Sequence, residues 1–466
     1  MAASDPRSRH DPAQSGDSPR PLERGRNPVQ SPFCGHVPVR LLDIARSFVK
    51  VGTIGFGGGL GMLALLRNEV VEKRRWLDDG HFCVGVALGQ MLPGPFISNY
   101  SYYIGHELRG PKGMVVAAAA LLFPSFALMC LLSWLYFAYG SVPLVARLFA
   151  GVQPVVVGIL AWATWSIGRS NIRNWQGLVI GTVAAVALFL RFDVLLVVIG
   201  CGILGILLSG RGSRDRGIGG AGRTKAEARS EKLEARGDEE GKAEGRGQGG
   251  KPGSSKPQAT SLKLDGRGRG NRRWLMALVP YLSLFLVAAA AGPTAVQRAG
   301  ELLSVFVKMG TVIFGGGFAA IPFIQHEVVD IRGWMTAKEF IDGVALGQLT
   351  PGPVAITATF VGYKVLGLPG ALIATLGMFL PSGLMILGLI HVYRRVSSNA
   401  IVRGFLYGVM PAVTGMLLAS TFFIGRSAIA GPVQAVVAAL ALVLLLRYRL
   451  DPIWLVLGGA VVGLVT

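Results

Sequence analysis

Two short motifs, each present twice, hold most of the chemistry this chain offers. The first is Phe56-Gly57-Gly58-Gly59, repeated as Phe314-Gly315-Gly316-Gly317. The second is Pro93-Gly94-Pro95, repeated as Pro351-Gly352-Pro353. All four lie inside apolar stretches. Three successive glycines cost a helix roughly 1 kcal/mol each relative to alanine. A Pro-Gly-Pro triplet removes two backbone donors and disfavours helical backbone before each proline. Broken helix at membrane depth is tolerated only where protein covers it or water reaches it. The amino end of a resumed half-helix presents free N–H groups, which suit an anion. Four breaks in two matched pairs therefore point to a polar hollow lined by half-helix ends. Plainer readings compete: Gly55 and Gly59 have the GxxxG spacing of close helix packing, and Pro-Gly-Pro can be a simple turn.

Polar side chains accompany both motifs. Lys50 and Lys308 stand in apolar runs six residues before the phenylalanine of each glycine motif. Charge in such a run is either functional or snorkels to an interface, and both readings stand. Gln90 and Gln348, three residues before Pro-Gly-Pro, offer amide donors to an oxyanion or to a neighbouring helix. Thr53 and Thr311 are candidates of the same hydrogen-bonding type, as are Ser98, Asn99 and Thr357. Glu69 and Glu327 would accept protons, or else pair with loop bases such as Arg74 and Arg332. Trp76 and Trp334 mark a membrane interface.

The elements that must position these residues form a duplication. Phe48–Pro95 aligns with Phe306–Pro353 without a gap and with about half the positions identical. The register continues through Gly110/Gly367, Pro124-Ser125/Pro381-Ser382, Pro154/Pro411 and Gly168-Arg169-Ser170/Gly425-Arg426-Ser427. Asp193 and Asp451 open the last segment of each half. Apolar windows long enough to cross roughly 30 Å of hydrocarbon recur from Leu41 to Thr466, giving about thirteen segments. The expected fold is an all-α polytopic membrane protein of two homologous helical modules with broken or re-entrant helices.

The expected divisions are a disordered tail over 1–40, a first module over 41–209, a charged linker over 210–273, an extra helix and connection over 274–300, and a second module over 301–466. Six segments return the chain to its starting face, and one extra crossing at 274–291 starts the second copy from the opposite face. The copies are then inverted repeats. Basic loops place the amino terminus and the linker in the cytoplasm. Lys73-Arg74-Arg75 obeys the positive-inside rule only if the first two segments of each copy are re-entrant, which is the expectation.

Only 15% of residues are charged, against about a quarter in soluble domains. The net charge of +20 resembles that of a nucleic-acid binder. Its confinement to tail, linker and short loops points instead to contact with anionic lipid, so no nucleic-acid partner is expected. The cysteines Cys34, Cys83, Cys130 and Cys201 lack metal-ligand or disulfide spacing, and the six histidines are scattered. No catalytic motif, metal site or cofactor is expected.

The combination of FGGG, GQ and PGP in both halves closely resembles the chromate ion transporter family in its long, two-domain form. The resemblance covers 41–209 and 274–466. It implies an inner-membrane carrier that exports chromate and confers resistance to it, with halves of opposite topology. The matching positions are Phe56–Gly59, Phe314–Gly317, Gly89-Gln90, Gly347-Gln348 and the two PGP triplets. Expected partners are chromate or a similar oxyanion and membrane lipid, with a homodimer one option for assembly. Membrane potential alone would suffice to drive export, with proton coupling one option besides. A carrier of sulfate or another oxyanion, or an anion channel, is the alternative.

Overall fold

The computed structural model describes residues 39–55, 58–140, 142–172, 174–209, 293–314, 316–390, 399–448 and 450–465. They belong to one compact unit, Pro38–Thr466. The tail to residue 38, the linker 210–273 and the apolar segment 274–291 lie outside the described residues.

The first module contains α1 (Leu41–Ile54), α2 (Gly58–Arg67), α3 (Asp79–Met91), α4 (Phe96–Tyr139), α5 (Pro143–Asn171), α6 (Trp175–Phe189) and α7 (Val194–Ser209). The second contains α8 (Pro293–Val312), α9 (Ala320–Gln325), α10 (Ala337–Leu349), α11 (Thr357–Leu389), α12 (Ala400–Ala428), α13 (Pro432–Tyr448) and α14 (Pro452–Val465). Each helix of the first module thus has its counterpart seven places later. Both α2 and α9 run on into a wider π turn, Asn68–Lys73 and His326–Ile331.

Local chemistry sets the boundaries. The Asp78 side chain accepts the His81 N–H ahead of α3, and Thr336 with Glu339 forms a reciprocal capping box ahead of α10. Pro143 occupies the first turn of α5, where its missing N–H is harmless. Asp193 and Asp451 accept the Leu195 and Ile453 N–H groups at the starts of α7 and α14.

The two broken segments of each module are hairpins. Lys50 Nζ lies 3.1 Å from Glu69 Oε2, and Met62 packs on Gly55, so α2 runs back along α1. The second module repeats this: Lys308 meets Glu327 at 2.7 Å, and Glu301 meets Arg332 at 3.9 Å. The next hairpin has Pro93–Pro95 at its tip, with Phe96 against Gly89 and Tyr103 against Gly85. At 13 residues, α3 and α10 are each about 20 Å long, too short to cross.

Helices α4 and α11 are continuous only in name. Arg109-Gly110 and Leu366-Gly367 leave the helical region, with both glycines near φ +60°. Thr359 and Thr375, sixteen residues apart, share a hydroxyl hydrogen bond of 2.7 Å. In a straight helix they would stand about 24 Å apart. The chain therefore reverses at Gly367, and contact between the Gly105 and Gly113 backbones shows the same reversal at Gly110. Both hairpins of a module consequently start and end on one face. The paired hairpins that re-entry requires are the geometry found.

After the reversal the chain crosses. Among the described residues, four helices are long and apolar enough to span a bilayer: α4, α5, the helix comprising Val354–Leu389 that contains α11, and α12. Contacts between α5 and α12 pair Val157 with Gly425, Thr164 with Thr421 and Gly168 with Thr414. The numbering runs in opposite directions, so these equivalent spanning helices are antiparallel. The modules are inverted repeats. They also interlock, since α14 packs on α5 and α7 on α12. Buried apolar residues of α5 to α7 join those of the second module in one core, including Val156, Leu160, Val413 and Met416, while α1 to α3 and the first part of α4 have a core of their own.

Candidate functional site

The hairpin tips of the two modules meet. The Gly94 N–H donates to the Ile313 carbonyl at 2.6 Å, and the Gly352 N–H donates to the Gly55 carbonyl at 3.0 Å. Gly94 corresponds to Gly352 in the repeat, and Gly55 to Ile313. Each Pro-Gly-Pro turn thus closes the broken end of the other module's first helix, a reciprocity that only a two-fold relationship produces. Gly94 and Gly352 have φ of +107° and +125°, which side-chain-bearing residues rarely adopt. Ser382 packs on Gly94 and Ser125 on Gly352, so a Cβ at either glycine would overlap a serine. The Ser125 hydroxyl donates to the Pro351 carbonyl, whereas that of Ser382 bonds Phe379 within its own helix.

Four helical segments begin at these tips: at Gly58 and Phe96 in the first module, and at Gly317 and Val354 in the second. The first N–H groups of a helix have no partner within it, and their aligned dipoles favour negative charge. Gly317 lies against Val354, which brings two such ends side by side. Nearby, Ser98 Oγ, Asn99 Oδ1 and Gln348 Nε2 are buried without partners among the described residues. The Asn99 amide nitrogen is used, facing the carbonyls of Gly89, Leu92 and Pro93 that end α3. The sequence suggested an open hollow here. In this conformation the tips touch instead, and the hydrogen bonds between them close the centre.

The expected charged residues lie one hairpin turn away from the tips and are paired. Lys50 and Arg74 both hold the buried Glu69, at 3.1 and 2.9 Å. Lys308 holds Glu327, with Arg332 at 3.7 Å. Arg74 and Arg332 also cap the rings of Trp76 and Trp334. The clusters differ in one contact: Asp193 of the first module reaches Lys308 at 3.5 Å, while its counterpart Asp451 makes no ion pair with Lys50. Burial alone would raise the Asp193 carboxyl. The Leu195 N–H and the Lys308 ammonium hold it below its ordinary value.

Other expected residues are placed differently. Thr53 and Thr311 are exposed and bond carbonyls of their own helices. Gln90 is exposed, whereas its counterpart Gln348 is half-buried beside the second tip. Phe314 stands 6.1 Å from Phe405, and Gly316 has φ +105° at the second break. Phe56, Gly57 and Gly315 lie outside the described residues; Gly58 and Gly59 begin α2. Pro93, Pro95, Pro351 and Pro353 flank the two tip glycines.

Sequence reasoning missed Ser125 and Ser382 as tip residues. The matched Pro-Ser pairs of the repeat carried that signal. It also missed Asp342, an acid on the arm leading to the second tip that is only 5% exposed.

A family model described as chromate transporter matches residues 42–206 and 300–464. The chain is 29% identical over 425 residues to an uncharacterized transporter of Methanocaldococcus jannaschii, covering 91% of this chain and 93% of that protein. It is 26% identical over 428 residues to a chromate transport protein of Cupriavidus metallidurans, with the same two coverages. An uncharacterized transporter of Bacillus subtilis is 30% identical over 171 residues, which is 96% of that protein but only 35% of this chain. One module thus matches a whole relative. No solved structure matches the chain.

Proposed function

Since the chain belongs to the chromate transporter family, and is therefore a polytopic membrane transporter and not an enzyme, we propose that it exports chromate from the cytoplasm across the inner membrane. The observation that carries this reading is the reciprocal pair of hydrogen bonds, Gly94 to Ile313 and Gly352 to Gly55. It gathers helix amino ends from inverted modules at one centre. Chromate is a tetrahedral dianion, and leaving it unpaired in low dielectric would cost tens of kcal/mol. Its oxygens would replace the tip-to-tip hydrogen bonds, accepting from the Gly94 and Gly352 N–H groups, from the first N–H groups of the resumed helices, and from Gln348. Of the remaining expected residues, Lys50, Thr53, Gly58 and Gly59 in the first module and Lys308, Thr311, Phe314, Gly316 and Gly317 in the second would flank that position.

Alternating access follows from breaking the two-fold unevenly. With the amino terminus cytoplasmic, Asp193 and Lys308 lie toward the outer face and Lys50 and Asp451 toward the inner one. The outer contact is made and the inner one is not, which describes a carrier closed to the outside. The inner cluster then has two cations, Lys50 and Arg74, around one carboxylate, Glu69, a net attraction for an incoming dianion. A membrane potential of about 100 mV, negative inside, is worth roughly 4.6 kcal/mol for two charges, an outward gradient of order a thousandfold. The second module's inversion needs an odd number of crossings between residues 209 and 293, a role that the apolar segment 274–291 fits.

The test is chromate uptake into inside-out vesicles that contain the full chain, with sulfate as competitor. Saturable uptake that collapses with the membrane potential is expected. Uptake that does not saturate would indicate a channel, and complete displacement by equimolar sulfate would make chromate a secondary substrate.

A further inference from the structure

Asp342 lies in α10, the arm leading to the second Pro-Gly-Pro tip, and is 5% exposed. Tyr136 Oη donates to its Oδ2 and Gln153 Nε2 to its Oδ1, both at 2.8 Å. These donors belong to the first module, on α4 and α5. No cation contacts Asp342 among the described residues. Every other buried acid in the module cores is handled differently: Glu69 and Glu327 each face two bases. The nearest charges to Asp342 are Lys338 and Glu339 on its own helix, and Glu339 is tied to Lys364 of α11 at 2.7 Å. Among the other helices packed around it, α14 has no titratable side chain, and α5 and α12 place none in contact.

We infer that Asp342 is the proton-binding residue through which oxyanion export is coupled to inward proton movement, a reading that rests on the transport function proposed above. An acid held in a membrane protein by neutral donors alone has no fixed counter-charge, so neutralising it with a proton removes a burial penalty rather than breaking a salt bridge. Tyr136 fits both states, because a hydroxyl donates to the carboxylate and accepts from the carboxylic acid after a simple rotation. Its ring is clamped edge-on by Phe149 and Phe360, at 5.1 and 5.3 Å, which fixes the oxygen while leaving the proton free to turn. The placement suits a relay. The Glu339 end of α10 is exposed one turn before Asp342, and Gln348, with its unpartnered Nε2, stands about 9 Å further along the helix toward the tips. The first module has Val84 at the equivalent position. Only the module expected to face outward therefore carries this acid. In each cycle the carboxylate takes one proton from the outer water and releases it inside as the tips part around the anion.

The test uses the full chain in proteoliposomes, following chromate and lumenal pH together. Wild type is expected to move protons opposite to chromate. Asp342→Asn should still exchange labelled for unlabelled chromate, while its proton signal falls at least tenfold and its net flux no longer varies with pH. Tyr136→Phe keeps the carboxyl and removes a donor to its charged form, so the pH profile of flux should shift to higher pH. Wild type that moves chromate without protons, Asp342→Asn that keeps its proton signal, or Asp342→Asn that melts like wild type yet loses exchange would each overturn the assignment. An unshifted profile in Tyr136→Phe would do the same. If wild type moves sulfate with protons and ignores chromate, the substrate reading fails while this one stands.

Discussion

Lys308 reaches Asp193 across the module boundary at 3.5 Å, whereas Lys50 and Asp451, their counterparts in the repeat, do not pair with each other. A perfect two-fold would make both contacts or neither. In the carrier proposed above, the difference would latch one side. We expect an impermeant thiol reagent to modify Asp451→Cys from the cytoplasmic face at rest and to spare Asp193→Cys from outside. Turnover with chromate should increase labelling at residue 193. Labelling at both positions that ignores chromate would remove the latch from the mechanism.

The latch also has a defined response to pH. The Asp193 carboxyl titrates below its ordinary value when folded. Its stabilising contribution is therefore complete above the unfolded value and is lost only as pH falls through the depressed one. Across about pH 5 to 8 the resting labelling pattern of a protein with Asp193 intact, read at Asp451→Cys, should stay flat. A change within that range would place its control on another group.

At the tips, Gly94→Ala and Gly352→Ala each force a left-handed backbone on a Cβ that meets Ser382 or Ser125. Backbone strain of about 1–3 kcal/mol, with the overlap added, should depress chromate flux by more than tenfold at normal membrane insertion. Ser125→Ala should destabilise by about 1 kcal/mol through loss of its bond to Pro351. Ser382→Ala should cost less, because that hydroxyl bonds its own helix. Equal melting temperatures for the two serine variants would contradict this asymmetry.

Removal of the lysines should also act unequally. In Lys50→Gln, Glu69 keeps Arg74 at 2.9 Å, whereas in Lys308→Gln, Glu327 retains only Arg332 at 3.7 Å and Asp193 loses its partner. Both should insert normally and transport poorly, with the larger loss of thermal stability in Lys308→Gln. Wild-type flux in both would detach the lysines from transport.

Inversion and re-entry together fix where reporters must appear. Fusions after residues 75 and 112 should share one face, and fusions after 333 and 366 should share the other. Finding 112 and 366 on the same face would end the inverted arrangement.

The duplication, the four helix breaks and the membrane character were legible in the sequence, because they are written in residue types: glycine and proline interrupt a helix wherever it lies, and apolar length is set by the bilayer. Re-entry was legible less directly, through the sign of Lys73-Arg74-Arg75. Pairing of Glu69 with Arg74 and of Glu327 with Arg332 was among the readings of the sequence, and the other pairings belonged to the tertiary structure. That Gly94 would bond Ile313 of the other module, that Lys50 and Lys308 would each be held by a glutamate, and that Asp342 would find only Tyr136 and Gln153 are relations between residues far apart in the chain. A repeat aligned with itself shows which positions are equivalent. Only the two-fold packing of antiparallel modules decides which inequivalent positions touch.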